Sequence, residues 1–443
     1  MNQLSHHSVD VLISGAGPVG LTLACLLKSE QPSLAVTLAD PKLASDAPIS
    51  QADRRTIAMS AATQSVYEGL DIWRSISASV GRIETIIVSD RGHVGKTRLG
   101  KQHNQGEDLG YVVDQARLKN ALRTQANKLG VRFISQSVKN VQSVAAGARI
   151  ELGDQTLIQS SLLVIAEGAN SPTRELLGIQ QETFDYAQTA IVTTVKHEKK
   201  HLACALERFT PSGPIALLPL RSPFESALVM CSTPKSVQEV EELNETQAAE
   251  EQRELSDSSH SLMQRRGTMA RDSSSESFLK ALHSQVGYPY GRFTSCGERL
   301  SFPLKLTQAK EQVRHSVVLV GNAFRSLHPV AGQGYNLAIR SCVELTAAVC
   351  SLGDYACCEK PVGGLERLYL FEQRMRADNA QTVLLSHGLH RIFTDELVPA
   401  LARTLGLAAL DNAGGLQGPI FAGVMGRVRP RAHLSIFSRS SKG

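Results

Sequence analysis

Three glycines and one acid near the N-terminus have the types and spacing that hold a dinucleotide. The segment GAGPVG places Gly15, Gly17 and Gly20 in a G-x-G-x-x-G pattern, and Asp40 follows twenty residues after Gly20. The first glycine permits a tight turn, the second lets the backbone approach a pyrophosphate, and the third allows close helix–strand packing. Phosphates are attracted by the N–H groups at the following helix N-terminus, and a carboxylate such as Asp40 accepts hydrogen bonds from ribose.

A second glycine cluster lies late in the chain. The segment VVLVGNAFRSLHPVAGQGYNLAIR reads as an apolar strand, a loop and the start of a helix. Its candidate binding residues are Gly321, Asn322, Gly332, Gln333, Gly334 and Asn336. Glycines ahead of a helix offer N–H groups to an anion or to the electron-rich edge of a ring. An ordinary strand–turn–helix crossover explains the same pattern, so the residues alone leave both interpretations open.

The surrounding residues predict the elements that position these clusters. VDVLIS and LAVTLAD are apolar strands on either side of LTLACLLKSE, whose apolar residues recur at helical period. A third strand–turn–helix, LLVIAEGANSPTRELLGI, carries Glu167-Gly168 with Ser171 and Arg174. We also predict a helix over ADRRTIAMSAATQSVYEGLDIW and an amphipathic helix over QARLKNALRTQANKLG.

Composition limits the class of protein. The 443 residues are 42% hydrophobic and 20% charged with a net charge of +5, which fits a globular protein and gives no sign of nucleic-acid binding. The eight cysteines make no CxxC pair, which favours reduced thiols and a cytoplasmic location. His387, His390 and Asp395 lack a further ligand at suitable spacing, so we predict no metal site. No signal peptide is visible, and no apolar run approaches the about 20 residues that span a bilayer.

The order of the three clusters resembles a known family. The early G-x-G-x-x-G, the mid-chain EGANSPTR and the late GNAFRSLHPVAGQGYN are together similar to the FAD-dependent aromatic hydroxylases, the group that contains 4-hydroxybenzoate hydroxylase. The strings DRRTIAMS, VSDRGHVG and ERFTPSGPIALLPL narrow the resemblance to the ubiquinone-biosynthesis branch. It extends over nearly the whole chain. The implied fold is α/β, with a Rossmann-like FAD-binding domain, an inserted mixed-sheet substrate domain and a C-terminal helical region.

The resemblance divides the chain into domains. Residues 1–180 would form the first part of the FAD-binding domain, with 81–110 contributing to the substrate domain. Residues 181–311 would form that substrate domain, including an exposed polar insertion at about 236–277 that is acidic and then serine-rich. Residues 312–355 would complete the FAD-binding domain, and residues 356–443 would form the helical region with its basic tail.

The resemblance also assigns roles to single residues. Gly15, Gly17, Gly20 and Asp40 would hold the ADP half of FAD, and Arg55 would lie near the FAD phosphates, where a surface salt bridge is the alternative. Gly321 and Asn322 would lie near the ribityl chain and pyrophosphate. Gly332, Gln333, Gly334 and Asn336 would contact the isoalloxazine. His328 and Pro329 would border the ring where oxygen reacts, although His328 is equally explained as a loop cap.

Two residues depart from the family pattern. Glu167, before Gly168, replaces the usual aspartate and extends its carboxylate by one methylene, which puts its expected role near the cofactor and NADPH in doubt. Asn322 replaces the aspartate common in the wider family, and the neutral amide would alter the electrostatics around the flavin.

The implied reaction is a ring hydroxylation. NADPH or NADH reduces FAD, O2 adds to give a C4a-hydroperoxyflavin, and its distal oxygen is transferred to a polyprenylated phenol such as 2-polyprenyl-6-methoxyphenol. Three alternatives stay open: a sister hydroxylase acting on another ring position, a flavin dehydrogenase or prenyl reductase of the same fold, and a non-catalytic FAD-stabilised scaffold.

The C-terminal region suggests how an insoluble substrate is reached. VLLSHGLHRIFTDELVPALARTLGLAAL is apolar and amphipathic, and the segment from Arg427 onwards is basic with no acidic residue. Such a region docks on an anionic membrane surface, or on another ubiquinone-biosynthesis protein. Ordinary helices packed on the FAD-binding domain are the alternative. The expected location is cytoplasmic, at most peripheral at the inner face of the membrane.

Overall fold

The structure is a computed structural model that describes residues 7–44, 55–92, 96–104, 106–233, 266–327, 332–352, 361–394, 434, 435 and 437. These residues form eight α-helices and twenty strands in three sheets. The helices are α1 Pro18–Glu30, α2 Ala61–Gly69, α3 Trp73–Ile76, α4 Gln115–Lys128, α5 Pro172–Leu176, α6 Arg266–Val286, α7 Gln333–Val349 and α8 Leu365–Thr394. The strands are β1 His7–Ser14, β2 Val36–Ala39, β3 Thr56–Ser60, β4 Gly81–Ile83, β5 Thr85–Asp90, β6 Lys96–Gly100, β7 Gly110–Asp114, β8 Arg132–Ile134, β9 Val138–Val144, β10 Gly147–Leu152, β11 Leu157–Ile165, β12 Gln181–His197, β13 Cys204–Phe209, β14 Ile215–Pro219, β15 Glu225–Ser232, β16 Phe293–Cys296, β17 Leu300–Ala309, β18 Val313–Arg314, β19 Val317–Leu319 and β20 Arg325–Ser326.

An eight-stranded sheet carries the early glycine turn. Its main order is β18-β19-β11-β1-β2-β8, and β10 joins β11 while β9 joins β10. The five strands from β19 to β8 are parallel. Val11 and Ile13 pack in the cluster that contains helix residues such as Leu21, whereas Leu12 packs in a second cluster with Ile150. Successive side chains of β1 thus serve opposite faces, and the sheet is covered on both sides as a parallel sheet requires.

A nine-stranded mixed sheet forms the second body of the fold. Its main order is β20-β17-β12-β15-β14-β13-β5-β6, with β16 paired to β12. Helix α6 packs on it through Phe278, Leu282 and Val286, which share a buried cluster with Leu217 and Leu228. Strands β5 and β6 come from the N-terminal part of the chain and join strands from between 181 and 309. The predicted fold class, a Rossmann-like α/β sheet with a separate mixed sheet, is confirmed, and we keep the detailed domain limits as a proposal.

A three-stranded sheet, ordered β3-β7-β4, lies between the larger two. Its strands are antiparallel. Ile83 and Val112 share a buried cluster with Leu99 and Ala205 of the nine-stranded sheet. The backbone of Gly81 also packs directly on that sheet, because a Cβ there would lie 1.9 Å from the carbonyl oxygen of Pro219. The small sheet is therefore fixed against the nine-stranded one.

One local prediction was wrong in part. The helix predicted over ADRRTIAMSAATQSVYEGLDIW begins only at Ala61, because Thr56–Ser60 pairs with Gly110–Asp114 as a strand. The serine-rich end of the predicted polar insertion contains the start of α6, which begins at Arg266. Most of the predicted insertion and of the C-terminal docking region lies outside the described residues. Among the residues that are described, no helix is long and apolar enough to cross a membrane.

Two buried histidines in the nine-stranded sheet are held in their neutral form. His201 donates through Nε2 towards the carbonyl oxygens of Leu220 and Ser222, at 3.1 and 3.0 Å, and its Nδ1 accepts from Ala203 N at 3.1 Å. A proton on Nδ1 would therefore face another N–H donor. Burial lowers the pKa of both His201 and His197, whose ring centroids lie 5.9 Å apart, and a proton on His201 would lower the pKa of His197 further.

Acid is expected to destabilise the protein through these two side chains. Unfolded histidine titrates near pH 6.5. Below that value the unfolded chain binds more protons than the folded one. The two histidines therefore contribute fully to the free energy of unfolding above about pH 6.5. As the pH falls from there towards their folded-state pKa values, each histidine lowers that free energy by up to about 1.4 kcal/mol per pH unit. Thermal unfolding midpoints at about pH 7.5 and about pH 5.5 measure this for the wild type and for the His197→Gln, His201→Gln double variant. An equal pH dependence in both proteins would contradict the assignment.

Candidate cofactor site and adjoining cavity

The early glycine turn is packed too closely for side chains at two of its three glycines. Gly15 has a φ of 114°, and a Cβ on it would lie 2.5 Å from the carbonyl oxygen of Ala166. A Cβ on Gly20 would lie 2.1 Å from the carbonyl oxygen of Gly15. Both distances are far inside van der Waals contact, so the turn, helix α1 and the end of β11 form one tightly packed unit.

Gly17 differs because the space beside it is open. A Cβ on Gly17 would meet no atom within 4 Å. Gly17 is the N-cap of α1, its φ of −71° suits any residue, and no side chain caps the helix. Pro18 occupies the first helical position, where its missing N–H costs nothing. The uncapped N–H groups of this helix therefore face an accessible region that suits an anion.

Asp40 is fixed in position by two backbone amides. Its Oδ2 accepts from Ala16 N at 2.7 Å and its Oδ1 accepts from Lys42 N at 2.8 Å. Ionised carboxylate oxygens carry about four acceptor positions in total. Two such positions remain for hydroxyl donors, and the carboxylate is already tied to the glycine turn.

Glu167 is surrounded by donors from the protein itself. Its Oε1 accepts from the hydroxyls of Ser14 at 2.5 Å and Thr173 at 2.6 Å. Its Oε2 accepts from Thr173 N at 3.0 Å and from the hydroxyl of Ser171. The longer side chain thus joins the end of β1 to the first turn of α5. We interpret Glu167 as a residue that positions the turn, and neighbouring Gly168, with a φ of 88°, has open space beside it.

The late cluster is held against β3. Gly332 is the N-cap of α7 with a φ of 58°, and a Cβ on it would lie 2.8 Å from the Cβ of Ala58. Asn336 uses its whole amide on the protein. Its Oδ1 accepts from Ser60 N at 2.9 Å and from Thr63 Oγ1 at 2.8 Å, and its Nδ2 donates to the carbonyl oxygens of Ala58 at 3.2 Å and Gly332 at 3.0 Å. Asn336 therefore fixes the start of α7, and within the described residues no side chain caps that helix start.

The other predicted residues of the late cluster lie in different surroundings. Gly321 packs against Val19 of α1, 3.3 Å from where its Cβ would be, so the loop after β19 touches the start of the first helix. Asn322 is exposed, Gln333 is buried, and a Cβ on Gly334 would meet only one atom, at 3.9 Å. His328 and Pro329 lie outside the described residues, so their predicted place beside the ring stays a prediction.

Arg55 lies at the start of the same strand. Its carbonyl oxygen accepts from Gln115 N at 3.0 Å, which links β3 to the first residue of α4. The residue is partly buried. It therefore lies on the element that Asn336 ties to the late cluster.

A tyrosine pair that the sequence did not reveal connects the two glycine clusters. The hydroxyls of Tyr67 and Tyr335 hydrogen-bond to each other, and Thr22 Oγ1 lies 3.0 Å from Tyr67 Oη and donates to Pro18 O at 2.6 Å. Burial raises the pKa of both phenols. Helices α7, α2 and α1 are thereby joined by neutral hydroxyls behind the glycine turns. In the sequence, the tyrosine of GQGYN, Tyr335, was the one feature that could have indicated this pair.

A cavity of about 620 Å³ lies where α3 and the three-stranded sheet meet loops at one end of the nine-stranded sheet. Its lining residues are Trp73, Ser77, Val80, Arg82, Glu84, Asp108, Tyr111, His201, Ala203, Leu220 and Arg221. Trp73 and Tyr111 meet edge to face with their ring centroids 4.7 Å apart. Tyr111 pairs with Met59 across β3 and β7, one residue from the Ala58 that touches Gly332. The cavity and the late glycine cluster therefore border the same small sheet on opposite faces, because neighbouring residues of a strand point to opposite sides.

Three charged side chains of the cavity wall, Arg82, Glu84 and Asp108, form ion pairs with one another and with Lys101. Asp108 accepts from Arg82 Nε at 2.7 Å and Nη2 at 3.1 Å, and from Lys101 at 2.9 Å, while Lys101 also reaches Glu84 at 3.0 Å. Burial opposes ionisation of Asp108, but these cations outweigh it and lower the pKa of the carboxyl. Burial and the adjacent Asp108 raise the pKa of Tyr111 to about 12, so its hydroxyl is a neutral donor. This part of the wall carries no net charge and offers a neutral hydroxyl, which suits a polar aromatic ring.

Comparison with known proteins identifies the family. A family model described as an FAD binding domain matches residues 8–272, more than half of the chain. The chain belongs to the FAD-binding-domain family. This family member is 30% identical over 424 residues to ubiquinone hydroxylase UbiL of Rhodospirillum rubrum, covering 95% of this chain and 90% of that one. It is 26% identical over 444 residues to the human mitochondrial ubiquinone biosynthesis monooxygenase COQ6, covering 93% and 92%. The predicted resemblance to the ubiquinone branch of the FAD-dependent hydroxylases is confirmed.

Two solved structures share the fold. The p-nitrophenol 4-monooxygenase PnpA of Pseudomonas putida superposes with a TM-score of 0.69 over 95% of this chain and 99% of that one, at 14% identity. The Diels-Alderase PyrE3 superposes with a TM-score of 0.65 over 94% and 80%, at 19% identity. The architecture is therefore shared across proteins whose names describe different chemistry.

The residues of this FAD-binding family member fit its cofactor. The open side of Gly17 and the uncapped helix behind it suit the pyrophosphate, and Asp40 retains acceptor positions for ribose hydroxyls. The left-handed, uncapped N-cap at Gly332 leaves backbone N–H groups available at a second helix start. Gly321 brings the late loop onto α1. The N-termini of α1 and α7 thus both present backbone N–H donors, and a dinucleotide as long as FAD can use both.

Proposed function

We propose that this protein is an FAD-dependent monooxygenase that hydroxylates the aromatic ring of a polyprenylated phenol in ubiquinone biosynthesis. The substrate we propose is 2-polyprenyl-6-methoxyphenol, on the similarity of the motif strings to its hydroxylase. The observation that carries the proposal is the early glycine turn, where the open space beside Gly17 and the positioned carboxylate of Asp40 suit FAD. A cavity beside the small sheet offers a place for the substrate. A cavity of about 620 Å³ lies in the usual range for a small-molecule site.

The cavity's side chains supply recognition of a phenol ring. Trp73 and Tyr111 offer aromatic surfaces, and Val80 and Leu220 are apolar lining residues. The Tyr111 hydroxyl donates to Asp108. Arg82 and Lys101 lower the pKa of Asp108 and so keep this carboxyl ionised. We propose that the ring packs on these aromatic side chains while the neutralised wall excludes bulk ions.

FAD, when bound, supplies the redox chemistry that activates dioxygen for transfer to the ring. Overall, one oxygen atom enters the ring, the other leaves as water, and a reduced nicotinamide provides two electrons. We propose NADPH, or NADH, as this reductant. The sequence contains one full G-x-G-x-x-G, which we assign to FAD. The nicotinamide cofactor would therefore bind without a second glycine turn of this kind.

The protein's task in this reaction is to orient and shield. Gly15 and Gly20 keep the turn tight, and Glu167 holds that turn to α5 through four hydrogen bonds. Asn336 holds the second helix start to β3. Fixed donors of this kind position a cofactor without reorganisation during the reaction.

An assay with a short-chain 2-prenyl-6-methoxyphenol tests the proposal. We expect substrate-dependent NADPH oxidation and O2 uptake, and a product that is heavier by one oxygen atom. Nicotinamide oxidation with no oxygen gained by the substrate would instead support a dehydrogenase or prenyl reductase. FAD binding with no turnover would support a scaffold. The ring carbon that carries the new hydroxyl, determined by NMR, separates this substrate assignment from a sister hydroxylase.

A further inference from the structure

A turn at one end of the nine-stranded sheet presents an exposed leucine on an unfavourable backbone. Leu202 and Ala203 have φ values of 52° and 54°, and Cys204 N donates to His201 O at 2.9 Å across the turn. Glycine or asparagine is favoured at such positions, because a Cβ is crowded in the left-handed region. Leu202 is nevertheless 78% exposed. Strained backbone that holds an apolar side chain in water is typical of a surface with something to bind.

The turn is fixed to the neighbouring loop between β14 and β15. The imidazole of His201 donates to the carbonyl oxygens of Leu220 and Ser222, and its backbone N donates to Pro223 O at 2.9 Å. His197 N donates to Phe224 O at 3.0 Å, which ties the same loop to the end of β12. The two loops therefore form one rigid surface.

Cations surround the apolar side chains on this surface. Lys199, Lys200 and Arg221 are exposed, and none of them makes an ion pair within the described part of the chain. Phe224, 42% exposed, lies on the loop joined to the Leu202 turn. We call these five residues the basic tip.

Of the two carboxylates nearest in sequence, Glu225 is ion-paired, whereas Glu198 accepts, within the described residues, only from a backbone N–H and keeps its charge against the three cations. Glu198 Oε2 accepts from Arg292 N at 2.9 Å, and Glu225 pairs with Lys196 at 3.4 Å. The surface therefore combines two exposed apolar side chains with an excess of positive charge.

We propose that the basic tip docks on an anionic lipid bilayer. Leu202 and Phe224 would enter the boundary between headgroups and acyl chains, and the cations would meet the lipid phosphates. His201, Ala203, Leu220 and Arg221 also line the cavity, so docking would bring the cavity to the membrane. That last consequence rests on the proposed function, because a polyprenylated phenol partitions into lipid.

Vesicle flotation of the full-length, FAD-loaded protein tests the docking surface. With vesicles of phosphatidylcholine and phosphatidylglycerol we expect wild-type binding, and a loss of about tenfold in Leu202→Asp, since burying a leucine side chain is worth at least this factor. The Lys199→Glu, Lys200→Glu variant should lose the preference for anionic over pure phosphatidylcholine vesicles. Leu176→Asp is the matched control, because Leu176 is also exposed, at 53%, and lies on α5. Unchanged circular dichroism and flavin content show that each variant is folded.

Four results would overturn the proposal. The first two are vesicle binding by Leu202→Asp at the wild-type level and an equal loss of vesicle binding in Leu176→Asp. The third is a loss of vesicle binding only when the chain is truncated at Ala413. The fourth is a wild type that does not bind vesicles but forms a dimer that Leu202→Asp dissociates. The truncation result would assign docking to the C-terminal region, and the dimer result would assign the tip to a second copy. Because the vesicles contain no substrate, failure here leaves the hydroxylation assay unaffected.

Discussion

Gly17→Leu is expected to fold normally and to lose its flavin. The backbone at Gly17 has a φ of −71°, and a Cβ would meet nothing within 4 Å, so leucine is sterically acceptable to the protein itself. The new side chain would project beside the uncapped start of α1, where we expect the pyrophosphate to bind. We expect FAD affinity to fall by at least about a hundredfold, the scale of a lost set of phosphate hydrogen bonds.

The measurement is the flavin-to-protein ratio after purification, read from visible absorption, together with circular dichroism. Gly20→Val is the comparison, because its Cβ would lie 2.1 Å from the carbonyl oxygen of Gly15. That variant should lose flavin and folded structure together. A Gly17→Leu protein that keeps a stoichiometric yellow cofactor would show that the pyrophosphate does not lie at this turn.

Glu167→Ala is expected to give the second largest effect, through stability. The substitution leaves the hydroxyls of Ser14 and Thr173 and the N–H of Thr173 without the carboxylate that they donate to. Hydrogen bonds to a charged group are worth about 1.5–3 kcal/mol each and are not additive when shared. We expect the free energy of unfolding to fall by about 3 kcal/mol, and FAD binding to weaken because Ala166 packs on Gly15.

Chemical denaturation monitored by circular dichroism, with and without FAD, measures this loss. Glu167→Gln should cost about 1 kcal/mol, since hydroxyls can rotate to accept from the new amide. Glu175→Ala, which removes an exposed acid from the same short helix, should change stability by less than about 0.5 kcal/mol. Equal stability in Glu167→Ala and Glu175→Ala would refute the positioning role.

Local signals in the sequence were sufficient for the first cofactor turn. Gly15, Gly17, Gly20 and Asp40 lie within one strand–helix–strand unit, so their spacing alone determines how they meet. The strand at Thr56–Ser60 was missed because its partner, Gly110–Asp114, lies far along the chain. Strand pairing of this kind is decided by tertiary contacts rather than by local periodicity.

Long-range contacts also decided what the remaining site residues do. The contact of Asn336 with the isoalloxazine stays a prediction, and its amide is hydrogen-bonded to Ser60, Thr63 and two carbonyl groups, which no local pattern indicated. The added methylene of Glu167 is visible in the sequence. Only the structure shows that this carboxylate accepts hydrogen bonds from both Ser14 and Thr173, which lie far apart along the chain. The left-handed turn at Leu202 could not be predicted, because its residues include no glycine or asparagine.

Oxygen transfer to the ring is the central claim, and isotopic labelling of the product tests it most directly. The reaction is run with a short-chain 2-prenyl-6-methoxyphenol, NADPH and heavy-isotope dioxygen in ordinary water, and the product is analysed by mass spectrometry. We expect the new hydroxyl to carry the heavy oxygen in wild type and product to be absent with flavin-free Gly17→Leu. A product whose added oxygen comes from water, or a substrate consumed with no oxygen gained, would contradict the account.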